Sequence, residues 1–219
     1  MYTEIYRRAL PRLFSPAAAL AAAGVMVAVL AGCAPSSGTE LLEPEPRRAV
    51  FPLPERYLGS YTNDWGAPRV QGGHEGTDLY APEGTPVRSI TAGTVVRAEE
   101  TDRDGWNTLG GYTVNVRAGH DVGPVERGDT LYYAHLREPT PLEPGDEVEA
   151  GERLGEVGES GGGPPGTREA GPPHLHLGWY AASEESQQAQ SGARNPYPLL
   201  ERLRESGGAF TVRPEGPFS

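Results

Sequence analysis

The hydrophobic positions after residue 50 fall in short segments that alternate with polar residues or are rich in β-branched side chains. Glycine, proline and aspartate separate these segments, which is typical of antiparallel strands joined by turns. The pattern therefore predicts a mostly β domain built on an antiparallel sheet. Its strands are expected near residues 86–90, 93–99, 111–117, 130–136, 147–149, 153–157 and 174–180.

A single short helix is predicted near the end of this domain, over residues 195–204. Asn195 is expected to cap it and Pro196 to begin its first turn, positions that these residue types favour. Three leucines then share one face of the helix, at positions 199, 200 and 203. We expect that face to pack against the sheet. Residues 161–173 and 182–193 show no such periodicity and are predicted to be loops.

The first part of the chain has the pattern of an export signal. Three arginines within residues 7–12 precede an apolar run over residues 17–31, and small residues follow it. This order is typical of a secretory signal peptide, so residues 1–32 are predicted to be one and the domain to lie outside the cytoplasm. An uncleaved signal anchor is the alternative, although the run is shorter than the roughly 20 residues of a membrane span.

The end of this segment, Leu30-Ala31-Gly32-Cys33, resembles the bacterial lipoprotein signal, and Cys33 is the only cysteine of the chain. The resemblance implies cleavage before Cys33, lipidation of its thiol and a membrane anchor. Several acyl chains would hold a protein on a membrane more firmly than one. Beyond the signal we predict a flexible tether over residues 33–50, a folded domain over 51–204 and a frayed tail over 205–219.

Composition excludes several classes of function. The formal net charge is -11, so the average surface repels nucleic acid, and we expect no nucleic-acid partner. All 19 basic residues are arginines, which excludes lysine Schiff-base chemistry and the P-loop lysine. The chain contains 30 glycines and 22 prolines. Both are poor helix formers, which argues against a helical bundle.

Two histidines lie two residues apart in the last predicted strand. Because alternate residues of a strand point to the same face, His174 and His176 are expected to project together. Leu175, Leu177 and Trp179 would then line the opposite face. A pair at this spacing also occurs by chance, so it is only suggestive of a site when taken alone.

His74 and Asp78 are candidate metal ligands near the start of the domain. The glycines around them make a helix unlikely, so a turn or a bent strand end is expected there. Imidazole nitrogens and carboxylate oxygens are good Zn²⁺ ligands, and three protein ligands plus water are typical of catalytic zinc sites. Copper and nickel also suit imidazoles and stay open at this point.

His135 lies in a segment of strand-forming residues. Regular alternation would place it on one face with Leu131 and Tyr133. A lone histidine in such a position is more often a packed core residue than a catalytic group.

Several motifs taken together resemble those of the lysostaphin-type, or LytM-type, zinc metalloendopeptidases, which cut peptide bonds in bacterial peptidoglycan. The resemblance covers about residues 61–200 and is specific in order and spacing. The matching motifs are Asn63-Asp64-Trp65-Gly66-Ala67-Pro68-Arg69, His74-x-Gly76-x-Asp78, Gly84-Thr85-Pro86-Val87, Gly93-Thr94-Val95, Tyr133-Ala134-His135-Leu136, Gly145-Asp146-x-Val148-x-x-Gly151, Gly155-x-Val157-Gly158 and His174-Leu175-His176.

This resemblance implies a twisted antiparallel sheet of the duplicated-hybrid-motif type, with the site in a groove. It implies that His74, Asp78 and His176 bind Zn²⁺, that His174 acts as general base, and that His135 donates a proton or hydrogen bond. Peptidoglycan is then the expected substrate and the cell envelope the expected location. The proline-rich loop over residues 161–173 departs from the family and is expected to narrow or remodel the groove.

Two alternative functions stay open from the sequence. One is a non-catalytic lipoprotein of the same fold that binds the wall or activates another hydrolase. The other is a peptidase of soluble substrates with no role in the wall. A regulatory protein partner is not identified by any motif.

Overall fold

The structure is a computed structural model, and it describes residues 45–70, 72–97, 102, 104–182 and 192–214. The predicted signal peptide and Cys33 lie outside the described residues, as do most of the predicted loop over 182–193. The strands, in chain order, are β1 (Arg47–Val50), β2 (Pro68–Arg69), β3 (Gly72–Gly73), β4 (Thr77–Tyr80), β5 (Pro86–Arg88), β6 (Gly93–Val96), β7 (Trp106–Asn107), β8 (Gly111–Ala118), β9 (Thr130–Leu136), β10 (Glu147–Val148), β11 (Arg153–Glu156), β12 (His174–Tyr180) and β13 (Ala209–Val212).

A seven-stranded sheet forms the centre of the molecule, with strand order β10-β6-β8-β9-β12-β4 and β7 added to β8. Every neighbouring pair in it is antiparallel. The prediction of a mostly β, antiparallel domain with one helix is therefore confirmed. Each of the seven predicted strands has its counterpart, although the structure shortens the first two to β5 and β6.

The core lies against one face of this sheet and draws on strands throughout the chain. Leu79, Val116, Leu131 and Leu175 come from four different strands and are fully buried. Tyr133 is fully buried as well, and its hydroxyl accepts a hydrogen bond from the backbone N–H of Ile90 at 2.9 Å. Such a bond satisfies the one polar group of an otherwise apolar side chain.

The predicted helix is present as α1, Tyr197–Glu205. Its cap position is Pro196, and the side chain of Asn195 accepts a hydrogen bond from the backbone N–H of Tyr197 at 2.9 Å. The three leucines of its apolar face are fully buried, as the periodicity predicted. Among the described residues, no helix combines the length and apolar character that crossing a membrane requires.

The two ends of the domain differ from the prediction. Strands β1 and β13 pair antiparallel with each other, although the sequence placed β1 in the flexible tether and β13 in the frayed tail. Ala49 is fully buried, and Phe210 packs against the main core. The pairing partner of each strand lies more than 150 residues away, and β1 follows a segment dominated by proline and glutamate. Local patterning therefore could not reveal either strand.

Candidate metal centre and active site

Strand pairing brings the candidate metal ligands together from distant parts of the chain. β12 lies between β4 and β9, and His176 is directly opposite Asp78 on one side and Ala134 on the other. His74 precedes β4 and reaches the same point from the turn after β3. Alternation along β12 directs Leu175 and Leu177 into the core, so its two histidines face the site, as predicted.

Three ligand atoms converge at this point. Nε2 of His74 lies 2.9 Å from Nδ1 of His176 and 3.2 Å from Oδ1 of Asp78. The remaining edge of the triangle, from Nδ1 of His176 to Oδ1 of Asp78, is 3.1 Å. Tetrahedral zinc with ligands at about 2.0–2.1 Å needs ligand atoms about 3.3 Å apart. The donor set and its spacing therefore fit a zinc ion.

Nδ1 of His74, the ring nitrogen that points away from the cluster, contacts Asp64. The sequence analysis gave Asp64 no role. Nδ1 of His74 lies 3.1 Å from Oδ2 of Asp64 and 3.3 Å from the backbone oxygen of the same residue. Both oxygens accept, so Nδ1 carries the proton and Nε2 presents its lone pair to the metal position. A carboxylate behind a ligating histidine is a common arrangement that fixes the ring.

An arginine neutralises the other side of the cluster. Nη2 of Arg69 donates to Oδ2 of Asp78 at 2.8 Å and leaves Oδ1 directed at the two imidazoles. Arg69 and Asp64 both belong to the 63–69 motif, which was quoted as part of the resemblance but given no chemical role. Their place in this motif, within ten residues before His74, is the signal that could have found them.

The close packing of acceptor atoms in this cluster shifts the pKa values of His74 and Asp78. Burial acts to lower the pKa of His74, but hydrogen bonds with Asp64 and Asp78 outweigh it and raise the pKa to about 9. Burial acts to raise the pKa of Asp78, yet hydrogen bonds from His176 and His74 bring it below its usual range. Without a metal, a proton on His74 therefore supplies the positive charge that the carboxylates of Asp64 and Asp78 attract.

Gly76 provides the space for His176. A Cβ atom at this position would lie 2.4 Å from Cε1 and 2.6 Å from Nε2 of the His176 ring, and 2.7 Å from the backbone oxygen of Leu177. No side chain larger than hydrogen fits there without displacing the ring. The glycine of the His74-x-Gly76-x-Asp78 motif is thus explained by close packing.

His174 stands beside the metal position with one nitrogen already occupied. Its Nδ1 donates to the backbone oxygen of Pro172 at 3.0 Å, which leaves Nε2 as the nitrogen directed at the site. That Nε2 lies 3.7 Å from Oδ1 of Asp78. His174 is therefore adjacent to the three-atom cluster without being part of it.

His135 does not lie on the face that regular alternation predicted. Its φ angle is +60°, and it is the only residue other than glycine with a positive φ among those described. The pairing of β8 with β9 shifts register at this end of β9, which is a bulge. Tyr133 and Leu136 both point into the core, and His135 between them turns to the site instead. The expectation that it shares a face with Leu131 and Tyr133 is therefore wrong.

The bulge gives His135 a fixed position facing His174. Its backbone N–H donates to the oxygen of Gly110 at 2.7 Å, and its Nδ1 donates to the oxygen of Ser160 at 2.8 Å. The ring centroids of His135 and His174 are 4.6 Å apart. Burial lowers the pKa of His135 to about 3, and the neighbouring imidazoles of His174 and His176 lower it as well. Burial therefore disfavours the charged form of His135, and Nε2 is the nitrogen that faces the site.

One further side chain enters the site from the loop before β12. Oε2 of Glu169 lies 3.2 Å from Nε2 of His135. The predicted loop over residues 161–173 is present, and through Glu169 it reaches the site. Nothing in the sequence distinguished Glu169 from the other acidic residues, because it lies in a loop without periodicity.

The chain is similar in sequence to known peptidases. A family model described as Peptidase family M23 matches residues 72–189. The chain is 39% identical over 155 residues to an L-Ala--D-Glu endopeptidase of Bacillus subtilis, over 69% of this chain and 42% of that protein. It is 29% identical over 177 residues to lysostaphin of Staphylococcus simulans, over 77% of this chain and 31% of that protein. The chain thus spans less than half the length of these relatives.

Solved structures show the same fold. The lytM protein from Ruminococcus gnavus matches with a TM-score of 0.53 and 39% identity, over 68% of this chain and 55% of that one. The catalytic domain of lysostaphin from Staphylococcus simulans matches with a TM-score of 0.50 and 26% identity, over 68% of this chain and 98% of that domain. The predicted lysostaphin and LytM fold class is confirmed.

Proposed function

The chain belongs to peptidase family M23, and from this premise we propose that it is a zinc metalloendopeptidase that hydrolyses peptide bonds in peptidoglycan. The observation that carries the proposal is the triangle of His74, Asp78 and His176, with edges of 2.9 to 3.2 Å. Two further imidazoles, those of His135 and His174, stand beside it. A purely structural zinc site is usually closed by four protein ligands, whereas this one has three.

The three residues of the triangle would hold the metal, with Asp64 and Arg69 fixing their orientation. A zinc ion held there acts as a Lewis acid, which polarises a carbonyl group and makes water a stronger nucleophile at neutral pH. Asp78 is 4% exposed and His74 is 6% exposed. Burial of these ligands excludes solvent from one side of the site and strengthens its electrostatics.

His174 is suited to take a proton from the attacking water. Its Nδ1 is engaged with the carbonyl of Pro172, so the ring can accept a proton only at Nε2, which lies on the metal side. An imidazole is a good general base near neutral pH. We assign this role to His174.

His135 is proposed to assist the departing amine and the developing negative charge. Its pKa of about 3 means that it begins the reaction neutral. It can therefore donate at Nε2 only after it receives the proton that His174 removes from water, which it then passes to the departing amine. The hydrogen bond from Nδ1 to Ser160 keeps that Nε2 directed at the site throughout.

We further propose that the enzyme works outside the cytoplasm and is attached to a membrane by lipid at Cys33. The basic and apolar pattern of residues 1–32 and the Leu30-Ala31-Gly32-Cys33 motif support this location. The segment from Cys33 to the start of β1 would act as the tether.

Digestion of purified sacculi by the full chain, followed by mass spectrometry, tests the proposal. We expect peptide fragments with new amino ends, their loss on treatment with a chelator, and their recovery when zinc is returned. His176→Ala is expected to abolish release, and the exposed Glu138→Gln serves as the control variant. Zinc binding without release of any fragment would contradict the proposal and indicate a wall-binding or hydrolase-activating role instead.

A further inference from the structure

A second group of ligand atoms lies next to the first. The side chains of His135, Glu169 and His174 each offer one nitrogen or oxygen atom, and these atoms all lie within 4.8 Å of one another. The closest contact is the 3.2 Å between Nε2 of His135 and Oε2 of Glu169. Neither the resemblance nor the family match gives Glu169 a role.

Backbone contacts hold one nitrogen of each imidazole and leave the other directed into this group. Both Nδ1 atoms donate to backbone oxygens, His135 to Ser160 and His174 to Pro172. In each ring, Nε2 is therefore the nitrogen left to bind a ligand. Nε2 of His135 and Oε2 of Glu169 lie 3.2 Å apart, close to the separation of two ligand atoms on one tetrahedral zinc ion. A cation between the three atoms would satisfy all of them.

Glu169 is held in this position by its own loop. The preceding residue, Arg168, forms salt bridges with Glu83 at 2.9 Å and with Glu159. The backbone N–H of Glu169 donates to the oxygen of Glu159 at 2.6 Å. The side chain of Glu169 is 42% exposed, so an ion can reach it from solvent. The loop thus places a carboxylate over His135 with little freedom of the backbone.

We propose that His135, His174 and Glu169 form a second divalent cation site, suited to Zn²⁺, beside the first. Two imidazole nitrogens and one carboxylate oxygen are the same donor set as that of His74, Asp78 and His176. Borderline metals such as zinc favour this mixture, whereas Ca²⁺ and Mg²⁺ favour oxygen ligands alone. We expect the second site to be the weaker one, since Glu169 is exposed and Asp78 is buried.

Filling of the second site has a consequence that rests on the proposed function. The second ion would take the lone pairs of His174 and His135, which the reaction needs for proton transfer. Zinc in excess of one equivalent should therefore slow hydrolysis. Binding of the second ion does not itself depend on whether the chain cuts peptidoglycan.

Zinc titration of the metal-free full chain against a chromogenic chelator tests the site. We expect two zinc ions per wild-type chain, one ion for Glu169→Gln, and one weaker ion for His176→Ala, whose second site is intact. The exposed Glu138→Gln is the matched control and should bind two. One ion bound to the wild type, or two bound to Glu169→Gln, would overturn the second site.

The two proposals fail in different ways in these experiments. A chain that binds two zinc ions but releases nothing from sacculi contradicts the peptidase and leaves the second site standing. A chain that cuts sacculi and binds one zinc ion contradicts only the second site. Inhibition is measured as the hydrolysis rate with excess zinc divided by the rate without it. This ratio should fall below one in the wild type and stay near one in Glu169→Gln.

Discussion

Oδ2 of Asp64 lies 3.1 Å from Nδ1 of His74, so a carboxylate outside the metal triangle orients one of its ligands. Asp64 lies on the chain before β2, and the β2–β3 hairpin separates it from His74. The hairpin therefore connects the two residues that make this contact. Arg69, at the end of β2, acts in the same way on Asp78.

Asp64→Asn should weaken zinc binding about 10- to 100-fold, because the amide can no longer hold Nδ1 of His74 as a charged acceptor. Chelator competition on the purified chain measures the change. Asp104→Asn is a matched control, since Asp104 is exposed on the loop before β7. Equal zinc affinity of the Asp64 variant and the control would contradict the orienting role.

Gly76→Ala should displace the ring of His176. The added Cβ would lie 2.4 Å from Cε1 of that ring, so we expect unfolding free energy to fall by about 1–3 kcal/mol and zinc binding to weaken. Gly59→Ala is the control, because nothing lies within 4 Å of a Cβ at that position. Thermal unfolding of the metal-free chain and chelator competition report the two effects. An unchanged zinc affinity for Gly76→Ala would show that the close contact is relieved without cost.

The left-handed backbone of His135 can be tested by comparing two variants that both remove the imidazole. Asn tolerates a positive φ, whereas a β-branched side chain does not. We therefore expect His135→Val to be about 1–2 kcal/mol less stable than His135→Asn. Chemical denaturation of the metal-free proteins measures the difference. Equal stabilities would mean that the bulge is lost when the histidine is removed.

Removal of β13 should destabilise the domain, although the sequence assigned this segment to a frayed tail. A chain that ends at residue 208 loses the pairing with β1 and the packing of Phe210, and we expect a loss of about 2–4 kcal/mol. A chain that ends at residue 214 keeps β13 and is the control. If the two truncations unfold at the same denaturant concentration, β13 contributes nothing to stability.

The sequence predicted the parts of the molecule whose signals are local. Alternation in β12 correctly placed His174 and His176 on the face opposite Leu175 and Leu177, and the leucine spacing correctly predicted the buried face of α1. These features depend only on the geometry of one strand or one helix.

What the sequence could not predict depends on distant pairing or on irregular backbone. β1 and β13 are four residues each, and their pairing joins positions more than 150 residues apart. The orientation of His135 depends on a bulge, which shifts every later side chain of β9 by one position. Glu169 is held at the site by salt bridges of Arg168 to Glu83 and Glu159, and no periodicity marks such contacts.

The β1–β13 pair also determines where the ends of the domain lie. Arg47 is directly opposite Val212, so the entry and exit points of the fold are neighbours on one surface. A short peptide can therefore join them, and new termini can be opened in the exposed turn at residues 143–146. The architecture thus permits circular permutation and insertion of the whole unit into a surface loop of a host protein.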